Sequence, residues 1–349
     1  MKNIIIIGAG WYGCHIAMIL KQYPEYNITI IDEKKEIFNN SSYYNQNRLH
    51  YGYHYCRNYN TRQLCKNNYN LFIDKYNFAV NYINNNYYLI ANNSIIDYDT
   101  YTHIYKYENY NFDTIDNNIF TNICNNIILV NEHVINSNII KNYFTENLKD
   151  INIIFNTKII KYIKNNLTNN IIIYDNINNE YICDILLDCT YNQLGLSKKN
   201  YIYELTISLI FEKINETEFN GITIMDGAFC SLYPYDISKN LFTLTDVEYT
   251  PVISSTNYSD IENYILTDSM IKDIKNKMIN KINSFYSKFE DNFKYISYFL
   301  SKKTKLVSPT DSRDINIDII EDNVISVNCG KIYGIFEFEK NIINYMGLK

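Results

Sequence analysis

The sequence predicts an α/β fold that combines a Rossmann-like domain on a parallel sheet with a discontinuous second domain on a mixed or antiparallel sheet. Three observations predict it. A run of β-branched residues near the amino terminus is followed at once by a glycine-rich turn. Strand, turn and helix patterns also occur within residues 128–200 and 305–349. Strand-like alternation occupies residues 79–105 and 201–252 of the intervening regions, 79–127 and 201–304, and residues 260–290 carry the pattern of an amphipathic helix. We therefore assign 1–78, 128–200 and 305–349 to a cofactor domain and the intervening regions to a substrate domain.

The composition is that of a globular chain. With 349 residues and 46% hydrophobic content, it can form two domains of ordinary size. The net charge is −6 and the lysines are dispersed, so we expect no nucleic-acid or membrane partner. No apolar run approaches the roughly 18–20 residues that span a bilayer, and a strand-like run already begins at residue 3. The eight cysteines form no C-x-x-C pair. We expect a cytoplasmic protein without a metal site.

The first thirty residues carry a dinucleotide-binding pattern. Residues 4–7 are four isoleucines, as in a strand buried on both faces. The turn that follows would bring its backbone close to a pyrophosphate at the start of a helix. Its residues are Gly8, Gly10, Trp11, Tyr12 and Gly13. A second apolar strand ends at Asp32, placed to bind a ribose hydroxyl, with Glu33 as the neighbouring candidate. An acid here favours FAD or NAD over NADP.

Residues 45–58, NQNRLHYGYHYCRN, differ in composition from the rest of the chain. Only four arginines occur in the protein, and Arg48, Arg57 and Arg62 lie in or just after this stretch, as do two of the five histidines, His50 and His54. Strand alternation would place Arg48, His50, Gly52 and His54 on one face. A metal site on the histidines is disfavoured, because Tyr51-Gly52-Tyr53 makes a helix improbable and no carboxylate is near in sequence.

With this segment in place of further βα units, the chain resembles the FAD-dependent oxidoreductases of the D-amino-acid oxidase and glycine/sarcosine oxidase superfamily. The resemblance continues in 130–163, in 181–195 (YICDILLDCTYNQLG) and in 323–343 (NVISVNCGKIYGIFEFEKNII). It implies a glutathione-reductase-type FAD-binding domain and FAD as the cofactor. Further cofactor-binding residues that it implies are Ser42, Asn45, Gln46, Arg48, Leu49, Thr190, Tyr191, Gly330, Lys331 and Ile332.

The resemblance also implies a reaction. A hydride equivalent would pass from a small amine, amino acid or hydroxy compound to flavin N5, with Lys331 adding positive charge beside the flavin. Arg313 is a candidate for holding a substrate carboxylate, or for a structural ion pair with a neighbouring aspartate. His50, His54 and Tyr233 are candidates for positioning or proton transfer, although Tyr233 fits core packing equally well.

Two alternatives stay open from the sequence. One is a non-redox flavoenzyme resembling UDP-galactopyranose mutases, in which the clustered arginines would bind a diphosphate. The other is an FAD-binding protein without catalysis. Covalent attachment of the flavin through His50, His54, Cys56 or Cys329 is chemically possible. The substrate, the electron acceptor and the oligomeric state are not readable from the sequence.

Overall fold

The structure, a computed structural model, describes residues 1–165, 167–308 and 313–348. The chain divides into two compact units. Unit 1 comprises residues 1–43, 137–202 and 303–349, and unit 2 comprises residues 44–136 and 203–302. Residues 44–78 and 128–136, which we assigned from the sequence to the cofactor domain, pack within unit 2. None of the described helices is long and apolar enough to cross a membrane.

The described residues form eight α-helices, some of which are single turns. In chain order, the helices are Trp11–Leu20 (α1), Tyr59–Tyr76 (α2), Tyr98–Tyr107 (α3), Ser137–Asn147 (α4), Tyr258–Glu262 (α5), Asp268–Asn283 (α6), Phe289–Asn292 (α7) and Gly334–Met346 (α8). The strands are Lys2–Ile7 (β1), Tyr26–Ile31 (β2), Arg48–Leu49 (β3), Val80–Tyr82 (β4), Asn86–Ala91 (β5), Phe112–Asp116 (β6), Ile123–Val130 (β7), His133–Ile135 (β8), Asn152–Ile154 (β9), Ile159–Lys164 (β10), Ile171–Asp175 (β11), Glu180–Cys183 (β12), Ile185–Asp188 (β13), Tyr201–Lys213 (β14), Gly221–Met225 (β15), Cys230–Asp236 (β16), Leu241–Asp246 (β17), Pro251–Ser255 (β18), Phe293–Leu306 (β19), Asn316–Glu321 (β20) and Val324–Asn328 (β21).

Unit 1 is built on a six-stranded sheet with the order β20-β21-β13-β1-β2-β9. The pairs from β21 to β9 are parallel, and only the β20–β21 pair is antiparallel. Residues 4–7 of β1 are buried, as expected for the central strand of a parallel sheet. A separate antiparallel sheet is formed by β10, β11 and β12. The Rossmann-like parallel sheet expected from the sequence is confirmed.

Unit 2 is built on a large mixed sheet with the order β18-β14-β17-β16-β15-β5-β7-β6, to which β19 adds by pairing with β14. The β5–β15 pair is parallel and its neighbours are antiparallel. One face is apolar: Ile222, Leu232 and Leu244 form a core with Ile271 and Met278 of α6. On the other face of β5, β15, β16 and β17, apolar residues such as Ile90 and Met225 are joined by a polar and aromatic group: Tyr88, Thr223, Ser231, Tyr233 and Thr243.

The stretch 45–58 is extended over only two residues. Arg48 and Leu49 form β3, which pairs with β8, and both are buried. The prediction that strand alternation continues to His54 is wrong. The strand ends at Leu49, Gly52 further on has φ +122°, and the Tyr55 N–H donates to the Gly52 carbonyl at 3.0 Å to close a turn. The tyrosine rings drive this turn: Tyr53 packs on Tyr105 and Tyr110 of the unit 2 core.

The start of α2 supplies a direct stability test. Asn58 caps the helix, because its side chain accepts a hydrogen bond from the Thr61 N–H at 2.9 Å. Asn58→Ala should lower the free energy of unfolding by about 1 kcal/mol. Asn70→Ala, the same change at an exposed position within α2, should leave it equal or higher because alanine favours helix. Urea denaturation of both variants measures the free energy of unfolding. An equal loss of that free energy in both variants would contradict the capping role of Asn58.

Candidate functional site

The glycine turn after β1 brings α1 against the preceding backbone. Gly8 has φ +102°, a conformation that other residues rarely adopt. A Cβ on Gly13 would lie 1.9 Å from the Gly8 carbonyl oxygen. The first turn of α1 therefore packs on the loop more closely than any side chain allows. Because α1 starts directly after this loop, its amino-terminal N–H groups lie at the carboxyl edge of the parallel sheet. Helix termini at this edge of a sheet commonly bind phosphate.

Ser42 lies over this turn. Its Oγ accepts a hydrogen bond from the Trp11 N–H at 3.0 Å, and a Cβ on Gly10 would come within 2.6 Å of that oxygen. The Trp11 indole itself is buried against Phe38 and Phe144. Trp11 can thus contact a cofactor through its backbone, whereas its side chain packs in the core. The Ser42 hydroxyl keeps a proton to donate elsewhere.

Tyr12 and Asp32 connect the turn to other parts of unit 1. The Tyr12 hydroxyl donates to the Lys331 carbonyl at 2.6 Å. Asp32 accepts from the Ala9 N–H at 2.6 Å and from the Lys34 N–H at 2.7 Å. Burial raises the pKa of Asp32, and these two hydrogen bonds act in the opposite direction. A carboxylate offers about four acceptor positions, so two remain for hydroxyl donors. Glu33, beside it, pairs with the Lys34 ammonium at 2.9 Å.

The turn after β13 lies next to the glycine turn, because the Cys189 carbonyl oxygen would be 2.7 Å from a Cβ on Gly8. Asp188 holds it. This buried carboxylate accepts from the Thr190 N–H at 3.0 Å, from the Thr190 hydroxyl at 2.6 Å and from the Ser326 hydroxyl at 2.8 Å. Burial raises the pKa of Asp188. Thr190 and Tyr191 therefore stand at the carboxyl edge of the sheet, with the Thr190 hydroxyl engaged in holding the turn.

The last turn follows β21. The Lys331 N–H donates to Cys329 Sγ at 3.4 Å, and α8 begins only at Gly334, so Gly330 and half-buried Ile332 belong to the turn rather than to the helix. Arg313 packs here, with Cδ 2.9 Å from the position of a Cβ on Gly330. The Nδ2 atom of Asn328 is buried and has no hydrogen-bond partner in the described structure. The Arg313 side chain and the unused Nδ2 donor of Asn328 thus both lie at the end of β21.

Unit 1 fits an adenine dinucleotide on these observations. The glycine turn excludes side chains, Asp32 retains acceptor capacity, and Asn328 offers a buried donor that the protein leaves unused. An unused buried donor costs roughly 1–3 kcal/mol unless a ligand satisfies it. The residues that would hold FAD are Gly8, Gly10, Gly13, Asp32 and Ser42 around the first turn, and Asn328, Gly330 and Lys331 around the last.

Arg48 lies at the centre of a polar cluster in unit 2. Its Nη2 donates to the Thr223 hydroxyl at 2.6 Å and its Nη1 to the Tyr88 hydroxyl at 3.4 Å. The guanidinium stacks on the Tyr233 ring, 3.7 Å from the ring centre. The Nε atom is buried and has no hydrogen-bond partner within the described ranges. Arg48, predicted as a cofactor contact, is thus anchored on the polar face of the large sheet.

The carboxylate of this cluster is Glu132, which is 0% exposed. It accepts from the Tyr88 hydroxyl and from the Tyr51 N–H, both at 2.8 Å. His50 Nδ1 is 3.7 Å from its Oε1, and the His50 and His54 rings are 5.6 Å apart. Burial raises the pKa of Glu132, and the charge of Arg48 opposes the shift. The sequence showed no carboxylate near the histidines, and the fold supplies one from residue 132.

The remaining predicted residues of unit 2 have structural contacts. Asn45 accepts from the Asn47 N–H at 2.6 Å, and the Gln46 amide donates to the Thr243 hydroxyl at 3.5 Å. Leu49 is fully buried. The Tyr233 hydroxyl donates to the His133 carbonyl at 3.4 Å, and the Arg48 guanidinium stacks on the Tyr233 ring. Tyr233 therefore combines core packing with a place in the polar cluster.

Sequence reasoning missed Glu132 and Asn328, whereas the resemblance did imply Asp188 as a residue near the cofactor. Each of the two is a polar residue in or beside an apolar run: Glu132 in IILVNEHVI and Asn328 at the end of VISVN. Buried charge is rare unless it is paired. A polar residue at the end of a continuous apolar run was therefore the available signal. Among the described residues, no group of three or more His, Cys, Asp or Glu side chains is placed to hold a metal ion.

Two curated fungal proteins are similar to this chain over most of its length. The FAD-dependent monooxygenase FPY4 of Fusarium mangiferae is 26% identical over 345 residues, which cover 97% of this chain and 89% of that protein. The FAD-dependent monooxygenase kojA of Aspergillus flavus is 25% identical over 367 residues, covering 97% and 84% respectively. No family model matches the chain.

Solved structures share the fold at much lower identity. Glycine oxidase from Geobacillus kaustophilus aligns with a TM-score of 0.74 at 7% identity, over 100% of this chain and 96% of that one. The FAD-bound L-α-glycerophosphate oxidase from Mycoplasma pneumoniae also gives 0.74, at 13% identity, over 100% and 95%. NikD, an amino acid oxidase, gives 0.74 at 6% identity, over 98% and 93%. The chain shares its fold with these oxidases, and the fold that the resemblance implied is confirmed.

Gly10→Ala tests the cofactor cradle. The new methyl would lie 2.6 Å from Ser42 Oγ and 3.7 Å from Ser42 Cβ. We expect the variant to bind less FAD and to melt at a lower temperature than the unchanged protein. The double variant Gly10→Ala, Ser42→Ala removes the clashing oxygen and should recover part of the bound FAD, because it also lacks the Ser42 hydroxyl. Flavin absorbance per protein after gel filtration measures the effect. Full retention of FAD in Gly10→Ala alone would contradict this geometry.

Arg48→Met tests whether unit 2 depends on its buried charges. Removing the guanidinium leaves Glu132 buried without that cation and should lower the free energy of unfolding by about 3–5 kcal/mol. Arg57→Met is the matched control, because Arg57 pairs with Asp226 at 2.6 Å but its side chain is 46% exposed. Its loss should stay below about 1 kcal/mol. Urea denaturation measures the free energy of unfolding of the two variants. Losses of similar size would show that the buried Arg48 contributes no more to stability than the exposed Arg57.

Proposed function

We propose that this chain is an FAD-dependent oxidoreductase that oxidises a small amine, amino acid or hydroxy compound. The observation that carries the proposal is the unit 1 cradle, in which a side-chain-free glycine turn, Asp32 and the unused amide of Asn328 share one sheet edge. The names of the fungal relatives agree with FAD as the cofactor. When bound, FAD supplies the acceptor for a hydride equivalent at N5.

The residues of the chain have three tasks in this proposal. Unit 1 binds the dinucleotide through the helix amino terminus and Asp32. Lys331 and Arg313 belong to or pack on the last turn, where they would add positive charge beside a bound flavin. In unit 2, His50 and His54 take up the proton that the substrate releases, beside the buried carboxylate of Glu132.

The contacts of the arginines weaken the sugar-nucleotide alternative. Arg48 is bonded to Thr223 and stacked on Tyr233, Arg57 pairs with Asp226, and Arg62 pairs with Glu108. Arginines already engaged with separate protein partners do not form one diphosphate site. A second candidate is a monooxygenase, because the two fungal relatives carry that name. Such an enzyme would need an external reductant such as NADH or NADPH.

Anaerobic mixing separates these reactions. The purified yellow protein is combined with amino acids, small amines and 2-hydroxy acids, and separately with NADH or NADPH. Bleaching by a substrate of the first group is the expected result. Bleaching by a nicotinamide alone would favour the monooxygenase. A colourless protein that cannot be reconstituted with FAD would overturn the proposal.

The histidine assignment has its own test with a matched control. His50→Gln should slow bleaching by about 10²–10⁴-fold, the usual contribution of a proton acceptor. His103→Gln, the same change at an exposed position of α3, should leave the rate unchanged. Stopped-flow absorbance measures both rates. Equal rates in the two variants would remove His50 from the reaction.

A further inference from the structure

The three-stranded sheet β10-β11-β12 of unit 1 has one face in the core and one face, called here the outer face, that points away from it. The inner face is buried, because Ile171, Ile173 and Cys183 pack into the unit 1 core. A sheet of this kind commonly has polar residues on its other face. Here, however, five of the exposed large hydrophobic side chains of the described structure lie between residues 160 and 182: Ile160, Ile163, Leu167, Ile177 and Ile182.

The strand register arranges the outer face in two adjacent rows. One row consists of three isoleucines that are direct cross-strand partners, Ile163, Ile172 and Ile182. The neighbouring row consists of Lys161, Tyr174 and Glu180. Cross-strand partners share a face of a sheet, and so do residues two apart in a strand. The outer face therefore carries an apolar row directly beside a charged row.

The charged row has its cation at one edge and its anion at the other. Lys161 lies on β10 and Glu180 on β12, and the intervening strand β11 separates the two outer strands by roughly 10 Å. The Lys161 ammonium lies 4.7 Å from the centre of the Tyr174 ring. In the apolar row, Ile163 and Ile182 are 49% and 55% exposed on the same two outer strands. The two edges of the face thus carry apolar groups of the same kind and charges of opposite sign.

We propose that the outer face is the contact between two copies of this chain, related by a two-fold axis that runs parallel to β11 between the packed sheets. Rotation about this axis exchanges β10 and β12 and leaves positions along the strands unchanged. Lys161 of each copy then opposes Glu180 of the other, and Ile163 opposes Ile182. The central residues of the two rows meet their own counterparts, as an isologous contact requires.

Charge complementarity selects both the axis and the partner. A two-fold axis across the strands would place the charged row on the isoleucine row and bury Lys161 without an anion, which is costly. The two rows together carry one cation and one anion, so they have no net charge with which to attract an anionic lipid surface. A second copy in the stated orientation pairs both charges and covers all three isoleucines.

The size of the outer face predicts a weak, reversible dimer. Three strands about 4.8 Å apart, each with about five residues at about 3.4 Å per residue, give roughly 250 Å² of sheet. A standard interface buries about 800 Å² on each partner. Leu167 and Ile177, in the turns at the two ends of the sheet, enlarge the apolar surface. We therefore expect association that depends on protein concentration rather than a permanent dimer.

An exchange of charges tests this contact. In sedimentation equilibrium, the average mass of the full-length protein should rise from one chain toward two as its concentration increases. Lys161→Glu should weaken association by about ten-fold or more, because acidic side chains then oppose each other twice in the dimer. Glu180→Lys should weaken it similarly. The double variant Lys161→Glu, Glu180→Lys restores opposite charges across the contact and should associate nearly as well as the unchanged chain.

Lys272→Glu is the matched control, since it makes the same charge change at an exposed position of α6 in unit 2. It should leave association unchanged. A protein that stays monomeric at every concentration would overturn the proposal. A dimer that persists in Lys161→Glu, or a double variant that associates no better than the single variants, would overturn it as well. Binding to vesicles of phosphatidylcholine and phosphatidylserine without self-association would assign the outer face to a lipid surface instead.

Discussion

The absence of a side chain at Gly13 is the constraint on which unit 1 depends. A Cβ there would lie 1.9 Å from the Gly8 carbonyl oxygen, so α1 can start against the turn only with glycine. That start fixes the other contacts of the sheet edge. The Trp11 N–H reaches Ser42, the Tyr12 hydroxyl reaches the Lys331 carbonyl, and the Ala9 N–H reaches Asp32. Segments far apart in sequence are thereby tied to one helix terminus, where an anionic ligand is favoured.

Unit 2 depends on a different constraint, the burial of charge. Arg48 and Glu132 are both removed from water, and they are joined through the Tyr88 hydroxyl. Desolvating two such groups costs several kcal/mol each, and apolar residues of similar volume could fill the space at no loss of stability. Stability alone therefore gives no reason for this arrangement. A binding or catalytic site gives one, because pre-organised charges and hydrogen bonds stabilise a bound or reacting group.

The sequence predicts the parts of this protein whose causes are local. The isoleucine run, the glycine turn and Asp32 lie within 33 residues, and their spacing is set by one βαβ unit. The extent of β3 was not predictable in that way, because the turn at Gly52 is held by rings from α3 and by Tyr110. Glu132 was missed for the same reason. Its partners Arg48, Tyr51 and Tyr88 are 40 or more positions away in the chain, and pairing across such distances leaves no periodic signal.

The clustering of arginine in residues 48–62 has a physical explanation in these contacts. Each of the three guanidiniums has a different partner: Arg48 on the sheet face, Arg57 with Asp226 and Arg62 with Glu108 and the carbonyls of residues 55 and 56. The guanidinium holds its five N–H donors in a fixed planar fork, whereas the lysine ammonium is a compact charge on a flexible stem. The arginines therefore fasten an irregular, tyrosine-rich turn to unit 2 at three points. His50 and His54 thus lie on a segment that three guanidiniums hold, and a binding or catalytic site needs such support.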